Sequence, residues 1–103
     1  MVEPRPLDRS WPLRGRDLRH AILAVLDRHG PSTISEILDA LERGGFAVAV
    51  TVQQPNKVVS DSLRHELARG RARRVERGVF ATDYLPDTTA RRIRRRWANA
   101  TGP

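Results

Sequence analysis

The sequence predicts a mainly helical α+β domain: three helices closed by a two-stranded C-terminal hairpin, with an extra basic helix behind it. Three observations lead there. Apolar residues recur at helical spacing through residues 16–29, 34–43 and 55–69. Gly30-Pro31, Gly44-Gly45 and Gly70 punctuate these runs. The segment Arg71-Ala-Arg-Arg-Val-Glu-Arg-Gly-Val-Phe-Ala81 then reads as two short strands around a tight turn. With 103 residues, the chain suffices for one small domain and a small core.

Each element has its own signal. Pro4, Pro6 and Pro12 predict an extended arm over residues 1–14, with Trp11 stapling it to the core. The first helix spans Arg16 to His29, with Leu18, Ala21, Ile22, Val25 and Leu26 on one face. The second spans Ile34 to Arg43, and Thr33 with Glu36 makes a capping box at its start. Residues 46–52 alternate large and small side chains, which predicts a strand or extended segment. The link they form is roughly ten residues, against three or four in a minimal helix-turn-helix.

The third helix runs from Pro55 to Arg69, with Asn56 as a candidate cap. Val59, Leu63 and Leu67 share one side. Gln54, Lys57, Asp61, Arg64 and His65 take the other, with Ser60 on the flank. The hairpin strands are residues 71–75 and 79–82, and Gly78 supplies the positive φ of the turn between them. Val75, Val79 and Phe80 are its candidates to pack on the helices. A last helix, capped by Asp87 or Thr88, reaches about Asn99. Its narrow stripe of Ala90, Ile93, Trp97 and Ala100 is surrounded by Arg91, Arg92, Arg94, Arg95 and Arg96. The organisation read from this is an arm (1–14), a domain (15–84) and a basic tail (85–103).

Charge points to the partner. The formal net charge is +7, and eighteen of the nineteen basic residues are arginine. Residues 1–69 carry ten basic and nine acidic groups, whereas residues 70–103 carry nine and three. The positive excess therefore sits in the hairpin and tail, and it favours association with a polyanion. Arginine pairs bidentately with phosphate and guanine.

Three surfaces follow as candidate contacts with double-stranded DNA. On the third helix, Lys57 and Arg64 are the main contacts, with Gln54 and Ser60 secondary. Asp61 would repel phosphate there, and the same face also reads as a solvated surface with Lys57–Asp61 and Asp61–Arg64 ion pairs. On the hairpin, Arg71, Arg73, Arg74 and Arg77 fall within seven residues, suited to backbone phosphates. On the tail, Arg91, Arg92 and Arg95 are assigned to DNA backbone contact. The apolar stripe there either packs on the domain or pairs with a second copy of the chain.

Other chemistry has no signal. The chain has no cysteine, which fits a reducing cytosol. His65-Glu66 begins like H-E-x-x-H, but Arg69 stands where the second histidine belongs. There is no Gly-rich phosphate loop with a lysine. Asp17, Asp27, Glu36 and Asp39 read as ordinary surface acids. No enzyme activity, cofactor or metal is expected, nor a signal peptide, membrane span or membrane partner.

With those residues in place, residues 30–84 resemble a winged helix-turn-helix domain of the HARE-HTH type, found in the delta subunit of bacterial RNA polymerase. Pro31-Ser-Thr-Ile-Ser-Glu-Ile-Leu, Pro55-Asn-Lys-Val-Val-Ser-Asp-Ser-Leu and Arg74-Val-Glu-Arg-Gly-Val-Phe-Ala81 carry the likeness. It covers about half the chain and implies DNA binding or a protein-contact module. The expectation is a cytoplasmic, nucleoid-associated DNA-binding protein or small bacterial transcription regulator, dimeric because one module buries little surface on DNA. The alternatives are an interaction module on the transcription machinery and RNA binding. Five aromatic residues leave little for base stacking, which counts against RNA.

Overall fold

Helix α1 (Gly15–His29) is the centre of the molecule. In this computed structural model, which describes residues 5–50 and 52–102, every residue from His20 to Leu26 is buried. Sequence spacing predicted a single apolar face. More than one face is covered because α2, α3, α4 and β3 all pack against α1. Gly30 ends the helix, its N–H donating to the Leu26 carbonyl at 2.9 Å.

A two-residue strand, β1 (Ser32–Thr33), follows and runs straight into α2 (Ile34–Arg43). The capping box is present: the Glu36 N–H donates to Thr33 Oγ1 at 3.1 Å, and the Thr33 N–H donates to Glu36 Oε1 at 2.8 Å. Such a cap contributes about 0.5–2 kcal/mol. Ile37, Ala40 and Leu41 face the core.

Helix α3 (Pro55–Ala68) buries Val59, Leu63 and Glu66. Proline occupies its first turn as expected, but Asn56 is not the cap. Gln54 holds that position, without a side-chain hydrogen bond. Strands β2 (Ala72–Glu76) and β3 (Val79–Thr82) form the hairpin, and β1 pairs with the other edge of β3. The result is a three-stranded antiparallel sheet in the order β1-β3-β2. The hairpin was read from the sequence; β1 was not, since two polar residues carry no strand periodicity.

Helix α4 (Asp87–Thr101) completes the fold. Asp87 opens it rather than caps it; Pro86 stands at the cap, with no side-chain bond. Its stripe is core: Ala90, Ile93, Trp97 and Ala100 are all buried. Trp97 meets Phe46, which follows α2, with ring centroids 5.2 Å apart. The described chain is thus a compact α+β domain of four helices and a small antiparallel sheet. No helix among the described residues is long and apolar enough to cross a membrane.

Three other expectations change. Trp11 does not staple the arm; it is 71% exposed, and Leu7 and Leu13 are the buried anchors. Flanking prolines and polar residues hide both leucines from any periodicity. Residues 46–50 form no ladder strand. Their backbone grips the arm instead, through Leu13 N–H to Ala47 O (2.7 Å) and Ala49 N–H to Leu13 O (2.8 Å). Val75 stays outside because it is the extra residue of a β-bulge between Arg74 and Glu76. Residues 1–4 of the expected arm, Thr51 of the expected strand and Pro103 of the tail lie outside the described residues.

Candidate nucleic-acid interface

The end of α3 aims the hairpin. Gly70 takes φ +74°, the left-handed value that a side chain disfavours. The Gly70 N–H donates to Leu67 O and the Arg71 N–H to Glu66 O, at 3.1 and 3.0 Å. This Schellman turn satisfies two end carbonyls and reverses the chain into β2. Arg71 is thereby brought back over Glu66.

Glu66 is fully buried, and both flanking cations belong to other elements. Arg19 Nε of α1 lies 3.2 Å from one carboxylate oxygen and Arg71 Nη1 lies 3.7 Å from the other. Neither oxygen accepts a well-directed hydrogen bond among the described residues. The cost of burying this carboxylate is thus offset mainly by charge, which ties α1, α3 and the α3–β2 junction together. Arg71 is half-buried through this pairing, unlike its hairpin neighbours.

Arg73, Arg74 and Arg77 are exposed. Arg74 crosses the ring of its cross-strand partner Phe80, at 5.6 Å from its centroid. Arg77 sits in the turn beside Gly78, whose φ of +75° lets two residues join the strands. None of these three arginines makes an ion pair among the described residues. A single acid, Glu76, shares the hairpin with them.

The outer face of α3 is more balanced. Lys57 Nζ donates to Asp61 Oδ1 at 3.0 Å, and Arg64 Nη1 lies 3.8 Å from the same oxygen. Gln54, Lys57 and Arg64 are exposed, and Ser60 is half-buried. The ion pairs of the solvated-surface reading are therefore formed. They are exposed pairs, worth about 0.2–1 kcal/mol each, and a stronger anion could displace them.

The tail arginines divide. Arg94 makes a bidentate pair with Asp27 of α1, at 2.8 and 2.9 Å. This holds the Asp27 carboxyl below its usual range, against the opposing effect of burial. Arg96 is buried and donates to Asp17 Oδ1 (2.7 Å) and the Arg5 carbonyl (2.9 Å), with His20 Nδ1 at 2.9 Å. Asp17 and Asp27, read from sequence as ordinary surface acids, are clamps for α4. Arg91, Arg92 and Arg95 remain on the outer side of the helix, where Arg91 borders a recess with Asp27, Asp83 and Asp87. Arg92 instead shares a cavity with Arg71. The structure thus brings Arg71 and Arg92 together, and leaves Arg91 beside acids.

Sequence reasoning missed His20, Glu66 and Arg96, all buried and charged or titratable. Burial lowers the His20 pKa from 6.5 to about 4, reinforced by Arg96, Arg16 and Arg71 and opposed by Asp17. The unfolded chain therefore binds a proton that the folded one refuses between those values. The stability from neutral His20 is complete above pH 6.5 and is lost as pH falls towards 4. Chemical denaturation of wild type should lose about 3 kcal/mol across that window, at roughly 1.4 kcal/mol per unit. His20→Asn should remove this slope. An unchanged slope in the variant would assign the titration elsewhere.

Among the described residues, no group of three or more His, Asp or Glu side chains could hold a metal ion. In comparisons with known proteins, the chain matches no family model, no curated protein and no solved structure.

Proposed function

We propose that this domain binds double-stranded DNA as a winged helix-turn-helix module, in a small bacterial transcription regulator or nucleoid-associated protein. The single observation that carries the reading is the trio Arg73, Arg74 and Arg77: exposed, on one hairpin, without ion-pair partners among the described residues. Guanidinium groups crowded on a short hairpin repel one another, and a row of phosphates relieves that repulsion. Further support comes from the order of elements, with three helices and the sheet order β1-β3-β2 carrying the hairpin beyond α3.

On this reading α3 lies in the major groove, with Lys57, Arg64, Gln54 and Ser60 as its contacts, and the hairpin rests on the backbone. Asp61 occupies both cations of α3 in the free protein. Affinity therefore comes mostly from the hairpin and little from base reading. The protein-interaction alternative draws on the same arginines meeting an acidic protein surface.

The test is anisotropy titration of a random duplex at low salt. Arg77→Ala should weaken binding about fivefold, for a lost exposed charge contact of about 1 kcal/mol. Arg28→Ala, the same charge change at the end of α1, should leave affinity within about twofold. Equal effects of the two would reduce the interaction to net charge. Absence of binding would remove the proposal.

A further inference from the structure

A second cationic feature lies behind the hairpin, where α1, the α3–β2 junction and α4 meet around a cavity of about 210 Å³. Five arginines line it: Arg16 and Arg19 from α1, Arg69 and Arg71 from the junction, and Arg92 from α4. His20 and Thr89 complete the wall. We propose that this cavity is a binding site for an oligophosphate group, the di- or triphosphate of a nucleotide or inorganic polyphosphate.

Charge is the first argument. Among the described residues Glu66 is the one carboxylate paired to this wall, and it is shared between Arg19 and Arg71. Five cations less that one acid leave a formal excess of four positive charges. Arg16, Arg69 and Arg92 make no ion pair among the described residues. A backbone phosphodiester offers about one negative charge per nucleotide. A terminal phosphate alone carries about 1.5–2, and a chain of two or three phosphates approaches the excess.

Shape is the second argument. The cavity is smaller than the roughly 300–1,000 Å³ of sites that enclose a drug-sized ligand. It suits a phosphate chain rather than a whole nucleotide, and as a recess it does not follow a duplex backbone. The arginines that border it come from α1, the α3–β2 junction and α4, and each guanidinium can meet a phosphate bidentately. Thr89 adds a hydroxyl. His20 adds a neutral ring, and the drop of its pKa to about 4, caused after burial by Arg96, Arg16 and Arg71, reports the positive potential.

The exposed hairpin trio takes no part in this site, which shares only Arg71 and Arg92 with the contacts expected on DNA. Calorimetric titration of the full chain with inorganic triphosphate, at about 0.15 M salt so that distant charges are screened, tests it. Saturable one-to-one binding is expected. Arg16→Ala with Arg69→Ala should weaken it by at least about tenfold, since two charge-assisted contacts are lost. Arg28→Ala with Arg43→Ala removes the same charge elsewhere and should change it by less than about twofold. All four positions are exposed; should the first pair lower the melting temperature, Arg16→Ala alone serves at the same readout.

ATP separates the two sources. Equal affinity for ATP and triphosphate marks the phosphate chain itself as the ligand, and tighter ATP marks a nucleotide; either supports the site. Lack of saturable binding overturns it, as does an equal loss in both double variants. Random duplex bound through Arg16 and Arg69 while triphosphate fails would also overturn it, and would leave the DNA reading standing.

Discussion

Trp97→Ala should lower the unfolding free energy by about 3–5 kcal/mol, the usual cost of emptying an aromatic site in a core. Trp97 is 5% exposed and stacks at a tilt on Phe46, so its removal leaves a void between α4 and the chain after α2. A domain of this size is held by only about 5–15 kcal/mol. At about 4–8 °C per kcal/mol, the midpoint should fall by tens of degrees. Urea unfolding followed by far-UV dichroism measures it. A loss below about 1 kcal/mol would make α4 an appended tail rather than part of the core. The same substitution should disturb Arg96, whose backbone carbonyl accepts from Leu7 N–H at 3.3 Å, and so loosen the arm.

The second large effect is on binding. Arg73→Ala, Arg74→Ala and Arg77→Ala together should weaken affinity for random duplex on the order of a hundredfold at low salt, about 1 kcal/mol for each contact. Arg74 costs something in the fold as well, because its guanidinium covers the Phe80 ring; an exposed cation–π pair is worth about 0.5–1 kcal/mol. The triple variant should nonetheless stay folded, since Phe80 and Ala72 keep the sheet on the core. Retained affinity in a folded triple variant would place the DNA contact elsewhere.

Local patterns could be read from the chain; long-range partners could not. The capping box of Thr33 and Glu36 and the proline start of α3 depend on neighbours a few residues apart, and sequence alone found both. The hairpin likewise announced itself through Arg77-Gly78, though the bulge at Val75 did not, since period two cannot reveal an inserted residue. β1 was invisible because its identity lies in pairing with Val79 and Phe80, far along the chain. The alternation of residues 46–52 suggested a strand, yet among the described residues the segment makes just an isolated bridge, Val48 with Leu13 of the arm.

The charged residues teach the same lesson. Five arginines around the α4 stripe looked alike in sequence. The structure gives Arg94 to Asp27 and Arg96 to Asp17, and sets Arg92 at a cavity with Arg16, Arg19, Arg69 and Arg71. Those pairs span 67 and 79 residues, beyond any spacing rule. By contrast, Lys57–Asp61 lies one helical turn apart and was expected from spacing. The basic hairpin was also legible, but its four arginines looked alike, and only the pairing of Arg71 with buried Glu66 separates it from the exposed trio.

The central claim is that the hairpin arginines neutralise the phosphates of double-stranded DNA. The most direct measurement is affinity for one random duplex across a salt series, for wild type and the triple hairpin variant. Each phosphate contact contributes about 0.9 to the slope of log affinity against log salt. Wild type should give a steep linear decline, and the variant should flatten it by about 2.7 units. Equal slopes for the two proteins, or affinity that is negligible even at the lowest salt, would contradict the account.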